Sequence, residues 1–369
     1  MASHYRRGLF ELLANKYSIY YYFFSDGKEW YWHHKHRQEI GNFRFNYLSG
    51  FSLLKIRINR ALVSPSFYQR HELIIKCING KFALLSTFIM SRLFYKPFIL
   101  WTGIWQHPKT FLHIITFPIV KLIYKNADAI VVYGNHVKKY LSSLGIDEQK
   151  IFIAWNTIDK SIFSKHFDSA KLMNLKKSMG IDTDKIILFV GRFEKVKGLF
   201  YLLEAFEIVK KGVNAKLLLV GSGTEEAEIK KWMIEQSNYD VLLIDYIENQ
   251  KLPEYYAIAD VFVLPSITTN REKETWGLVL NEAMCQGCPV VTTEAVGAAV
   301  GGLVEDGKTG YIVPEKNSGA LARAILRILK DDDLHKNMQD ASFQKIQSWD
   351  YDYQAQGFID AINYATKSK

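Results

Sequence analysis

The sequence predicts an α/β protein of two Rossmann-like, doubly wound domains facing each other across a cleft. Three observations carry that prediction. A chain of 369 residues, 48% apolar, is comfortable for two packed cores. Its C-terminal half alternates short apolar strands with amphipathic helices, the pattern of a parallel sheet covered on both faces. Its N-terminal half repeats that rhythm less clearly. Ligands of this fold class bind at the carboxyl ends of the strands.

In chain order, residues 17–25, 44–48, 72–75, 97–102 and 129–133 read as N-terminal strands. Residues 9–16, 82–95, 112–125 and 137–144 read as helices between them. Residues 157–184 break the pattern and read as a linker, so the domains are expected at 1–160 and 161–349. The terminal helix, 350–369, is expected to pack back on the first domain. Residues 185–190 are an apolar strand. Residues 198–211 follow with Leu199, Leu202, Leu203, Phe206 and Val209 at helical spacing. Strands at 215–220, 241–244, 260–265, 289–292 and 310–313 alternate with helices at 224–236, 252–259, after Glu274, and 318–330.

The stretch ETWGLVLNEAMCQGCPVV, 274–291, is the most informative. It sets Glu274 and Glu282 eight positions apart around the start of a helix, with Leu278 and Glu282 on one stripe. A helix N-terminus suits a phosphate. Carboxylates on either side suit hydroxyls on either side of that phosphate, as in a nucleotide sugar. Upstream, Gly191 permits close backbone approach and Gly198 a tight turn, while Arg192 and Lys197 supply two cations between them.

Other motifs weigh less. Cys285 and Cys288 have the spacing of a redox or zinc half-site, but no second pair exists, and Gly287 reads as a helix terminator. The Asp331–Asp333 run reads as solvated acids ending a helix, and Asp350 and Asp352 also read as solvated acids. The Gly-rich run 296–302 lacks a phosphate-loop lysine and reads as a loop. His33, His34 and His36, beside Trp30, Tyr31 and Trp32, read either as an acceptor or membrane contact or as an exposed loop.

Charge is unevenly spread. Residues 1–160 hold 22 of the 47 Lys and Arg residues but 9 of the 38 Asp and Glu residues, a balance of +13 against −4 for the rest. That asymmetry points to an anionic partner: an anionic membrane surface, an acidic or phosphorylated acceptor, or nucleic acid. No nucleic-acid recognition motif accompanies it. Three cysteines make no disulfide framework, the first residues show no signal-peptide core, and no apolar run reaches spanning length. A cytoplasmic location, with peripheral contact at the inner membrane face, is therefore expected.

With these residues in view, the C-terminal half resembles the retaining glycosyltransferases of family 4, in the glycosyl transferases group 1, which have the two-Rossmann-domain GT-B architecture. The resemblance rests on VGRFEKVKG (190–198), VGSG (220–223), LPEYYAIADVFVLPS (252–266), the 274–291 stretch and EDGKTGYIVP (305–314), in family order. NADAIVVYGNHVKKYLSSLGI and the segment around Asn156 resemble closing elements of the N-terminal domain. The resemblance implies that Arg192 and Lys197 bind the donor diphosphate. It implies that Glu274 meets the donor sugar hydroxyls, Glu282 the ribose hydroxyls, and Gly277 and Leu278 the phosphates through backbone N–H groups. Tyr246 and Ile247 would frame the base. The family's active-site histidine falls near Gly103, where His107 is the nearest replacement.

The implied activity is transfer of a hexose, with retention, from a UDP or GDP sugar to a glycan or glycolipid of a cell-surface polysaccharide such as lipopolysaccharide or capsule, without a metal or other cofactor. A nucleotide-sugar epimerase of the same architecture and a non-catalytic nucleotide-sugar-binding protein remain open. One departure stands out. Family members begin with a strand and a Gly-rich loop, whereas this sequence starts at the loop entering the first helix. The resemblance therefore predicts an N-terminal sheet lacking its first strand, with reduced stability.

Overall fold

The computed structural model describes residues 4–24, 41–53, 56–181 and 185–367. They fall into two compact units. The first gathers Met1–Ile104, Phe111–Thr157 and Tyr351–Lys369, and the second Trp105–Thr110 and Ile158–Asp350.

In chain order the first unit runs α1 (Arg7–Lys16), β1 (Tyr20–Phe23), β2 (Arg44–Tyr47), β3 (Phe51–Leu53), β4 (Ile56–Ile58), α2 (Pro65–Gln69), β5 (Ile74–Cys77), α3 (Lys81–Leu93), β6 (Phe98–Thr102), α4 (Phe111–Asn126), β7 (Ala129–Val132), α5 (Asn135–Ser143) and β8 (Ile151–Ile153). The second runs α6 (Lys160–Phe163), α7 (Ser169–Ser178), β9 (Lys185–Val190), α8 (Leu199–Val209), β10 (Ala215–Val220), α9 (Glu226–Glu235), β11 (Val241–Ile244), α10 (Leu252–Ile258), β12 (Val261–Leu264), α11 (Leu278–Cys285), β13 (Val290–Thr293), α12 (Gly297–Gly301), β14 (Gly310–Val313), α13 (Ser318–Lys330) and α14 (Asp332–Gln347). The chain then returns to the first unit with α15 (Tyr351–Lys367).

In the first unit, β5–β8 pair in sequence order as a parallel sheet. Every residue of β6, FILWT, is buried, as a strand covered on both faces requires. Alternation then assigns the faces. Phe98 meets Phe88 of α3 edge-on at 5.4 Å, while Trp101 meets Phe358 of α15 at 5.0 Å. β1 and β2 form a separate parallel pair, and β3 and β4 an antiparallel one. Tyr21 and Phe23 of β1 pack on the same core as Ile75 and Cys77 of β5, around Leu9, Phe10, Leu13 and Phe358. The two parallel sheets share that core without sharing a ladder.

The second unit is one six-stranded parallel sheet in the order β11-β10-β9-β12-β13-β14. Chain direction across the sheet reverses between β9 and β12, which pair directly. The loops after these two strands therefore leave side by side at the carboxyl edge, the position where doubly wound sheets bind ligands.

Three segments differ from the sequence expectation. Residues 157–184 hold α6 and α7, counted with the second unit. Asp159 and Asp168 start them by accepting from the backbone N–H of Ser161 and Ala170, at 3.0 and 3.2 Å. They are tied down by an ion pair from Lys171 to Glu254 at 2.8 Å and by Gln286 donating to the carbonyls of Phe163 and Lys165. Asp331 begins a helix rather than only ending one, since its carboxylate caps α14 at the N–H of Leu334. The Gly-rich run 296–302 is not a loop but the short helix α12, with Ala298 and Ala299 buried. Trp30, Tyr31, Trp32, His33, His34 and His36 lie outside the described residues. Among the described residues no helix is long and apolar enough to cross a membrane.

Candidate functional site

The site is built where β9 and β12 release their loops. After β9 the chain runs through Gly191 and an exposed Arg192 into a single turn, Lys195–Lys197. Val196 is buried, and its carbonyl accepts from Ile267 N–H at 2.8 Å, binding this loop to the one after β12. Gly198 closes the turn at φ 66°, and a β-carbon there would sit 2.3 Å from the Pro265 carbonyl oxygen. Only glycine combines the left-handed backbone with that approach.

This fixes Lys197, whose ammonium contacts the Glu274 carboxylate in an ion pair with side chains 13% and 15% exposed. Ser266 Oγ donates to the same Glu274 oxygen at 3.4 Å. The Glu274 backbone is also held: its carbonyl accepts from Gly297 N–H at 3.1 Å and from the Trp105 indole N–H at 2.9 Å. Trp105 belongs to the short segment Trp105–Thr110 of the second unit, which also bonds Asn270 O through Lys109 N–H at 2.7 Å. The Lys273 ammonium lies 3.7 Å from the centre of the Trp105 ring.

Beyond Glu274, Trp276 is buried, donates to Asn281 Oδ1 at 2.9 Å and lies against Trp349. It anchors the turn from which α11 starts. Gly277 stands at φ 93°, and no side chain caps the helix. Leu280 N–H donates to the Gly277 carbonyl at 3.0 Å, which leaves the N–H groups of Leu278 and Val279 outside the helix ladder at the positive end of the helix dipole. One turn further on, Glu282 is 9% exposed and accepts from Tyr256 Oη at 2.6 Å. Burial pushes its carboxyl up to about 7, with the Tyr256 hydrogen bond pulling the other way. Burial, then the adjacent Glu282, push the Tyr256 phenol well above its ordinary value.

The structure thus brings Lys197 and Glu274 into contact and sets Glu282 on the helix that Gly277 begins. Arg192 lies exposed on the loop that carries Lys197, and Gly191 takes the close packing of the loops after β9 and β10, donating to Val220 O at 3.0 Å. Tyr246 and Ile247 are half-buried in the loop after β11. His107 is half-buried two residues beyond Trp105. The sequence reading did not single out Tyr256, Ser266 or Trp105. Tyr256 and Ser266 stand inside the quoted 252–266 segment, but only the fold reveals which acids they face. Cys285 and Cys288 are free, buried thiols, both raised by burial, Cys285 to about 11.

This arrangement offers an anion the Lys197 ammonium and a helix N-terminus, with the carboxylates of Glu274 and Glu282 as hydrogen-bond acceptors on the same loop and helix. The family described as Glycosyl transferases group 1 matches residues 173–345. The chain is 28% identical over 232 residues to the N-acetyl-alpha-D-glucosaminyl L-malate synthase of Bacillus anthracis, covering 62% of this chain and 57% of that protein. It is 27% identical over 341 residues to the capsular polysaccharide biosynthesis glycosyltransferase CapM of Staphylococcus aureus, covering 90% and 86%. For several curated relatives the chain spans little more than half their length. Among solved structures it is similar in fold to Anabaena Alr3699/HepE in complex with UDP and glucose, with a TM-score of 0.75, 17% identity and coverage of 96% and 94%.

Proposed function

We propose that the protein, whose residues 173–345 match the family described as Glycosyl transferases group 1, is a retaining glycosyltransferase. It moves a hexose from a UDP or GDP sugar to a hydroxyl of a glycan or glycolipid in cell-surface polysaccharide synthesis. The observation that carries this reading is the Lys197–Glu274 pair beside the uncapped start of α11.

In this reading the diphosphate lies against the N–H groups of Gly277 and Leu278 and displaces Glu274 from Lys197. Glu274 then accepts from hydroxyls of the donor sugar. Glu282 accepts from the two ribose hydroxyls, and Tyr246 and Ile247 border the base. As the anomeric C–O bond breaks, charge grows on the departing diphosphate, where Lys197 and Arg192 stabilise it. The acceptor hydroxyl attacks from the face the diphosphate leaves, and its proton passes to a diphosphate oxygen. The transition state has the oxocarbenium character known from glycoside hydrolysis, yet no protein nucleophile or metal takes part in the step. His107 lies near the sugar in this arrangement. Its acceptor is glycan or lipid-linked, met at an anionic membrane face on the cytoplasmic side.

The test is the first-formed product, followed by NMR with each nucleoside diphosphate sugar and a lipid-linked acceptor. Retention of the donor's anomeric configuration is expected. An inverted linkage, or an epimerised free sugar formed from donor and water alone, contradicts the reading.

A further inference from the structure

Helices α3 and α4 cover one face of the β5–β8 sheet. Their strands pair in chain order, so right-handed connections place both helices on the same side. They are joined at their ends, where Arg92 of α3 donates to the Asn126 carbonyl of α4 and to Asp128 Oδ2 at 2.8 Å. Each buries its inner side, and Phe88 on Phe98 is one such contact.

The outer side is not polar, as a water-facing helix surface would be. On α3, Leu85, Ile89 and Leu93 recur every fourth residue and are exposed, Leu93 by 64%. On α4, Phe111, Ile115 and Ile119 do the same, Phe111 by 82%. Neither helix contains an Asp or a Glu. Lys81, Lys121 and Lys125 supply its charge alongside the already paired Arg92. Exposed apolar rows on two helices that cover the same sheet face mark an interaction surface. Helices that carry lysines and no acids favour an anionic occupant.

We propose that this outer α3–α4 face lies on a bilayer containing anionic lipid, with the two apolar rows among the acyl chains and the lysines at the phosphates. The proposal rests on the glycosyltransferase reading only for why such a surface is useful: it holds the first unit where a lipid-linked acceptor is presented.

The full chain is sedimented with vesicles of phosphatidylcholine alone and of phosphatidylcholine with an equal part of phosphatidylglycerol. Leu93→Glu/Ile115→Glu is compared with Ile234→Glu, a control at an exposed apolar site on the second unit. The wild type and the control are expected to pellet with the anionic vesicles. The double variant is expected to lose at least about tenfold in partitioning. All three should give equal thermal shifts with UDP or GDP, whichever binds. That readout separates a failed membrane face from a failed donor site and shows that the variants are folded. Three outcomes overturn the proposal: no binding of the wild type, binding to neutral vesicles as strong as to anionic ones, or undiminished binding of the double variant. A wild-type dimer that the double variant abolishes, without vesicle binding, assigns the face to a second copy instead.

Discussion

Lys197 and Glu274, 77 positions apart in sequence, meet as an ion pair where the loops after β9 and β12 come together. The pair is mostly shielded from water, so each partner is costly to leave alone. Lys197→Ala and Glu274→Gln are each expected to destabilise the fold by about 1–3 kcal/mol, and the double variant by less than their sum. Urea unfolding of the three proteins measures the coupling. Strict additivity would mean that the contact contributes nothing.

In the proposed function Lys197 stabilises the departing diphosphate, so its removal bears on turnover. Lys197→Ala is expected to lower turnover by about 10²–10³. Steady-state kinetics on a nucleoside diphosphate sugar checks this. A loss confined to KM would assign Lys197 to binding alone.

Glu282 makes stability depend on pH. Its folded value of about 7 lies above its ordinary 4.5. Between those values the folded state keeps a proton that the unfolded chain has lost. The associated stability is fully present below pH 4.5 and disappears as pH rises through 7. The gap corresponds to about 3 kcal/mol. Glu282→Gln, which cannot ionise, is expected to gain stability on the wild type by that amount between pH 4.5 and pH 8. A constant difference across denaturation curves at both pH values would contradict the buried environment.

Tyr256 tunes the same group. Its hydrogen bond favours the carboxylate, so Tyr256→Phe is expected to raise the Glu282 midpoint further. If Glu282 reads the ribose hydroxyls, as the proposed function has it, it must be a carboxylate to accept from both, so nucleotide affinity at pH 7 should fall and recover at pH 8.5. Calorimetric titration at the two pH values reads this out, and equal losses at both would assign Tyr256 a packing role only.

Glycine positions separate strain from collision. Gly145 and Gly198 both have positive φ, 79° and 66°, but a β-carbon at Gly145 meets nothing within 4 Å. Gly145→Ala is expected to cost about 1 kcal/mol. Gly198→Ala, driven into the Pro265 carbonyl, is expected to cost at least twice that. Melting temperatures of both variants check the order.

Much of the second unit was legible in the sequence because its strands are buried runs with one purpose. Lys185–Val190, Ala215–Val220 and Val241–Ile244 stand where their apolar runs begin and end. The positions of Lys197, Glu274 and Glu282 in the candidate site were legible because glycines and a helix start punctuate them. Contacts made only in three dimensions were hidden. Nothing local to Trp105 points 169 positions ahead to the Glu274 carbonyl. The helices α6 and α7 were missed because their apolar residues are few, and their Asp caps carry the signal instead. The division of the first unit's strands into two parallel sheets depends on ladders that periodicity cannot register.

The most direct test of the account is a thermal-shift panel of UDP, GDP, ADP and CMP on the wild type and on Lys197→Ala. One diphosphate, at about a hundred times its dissociation constant, should add roughly 2.7 kcal/mol to the native wild type. The shift should be absent from Lys197→Ala. No shift with any nucleotide from a folded protein, or an equal shift in the variant, would contradict the donor site described around Lys197 and Glu274.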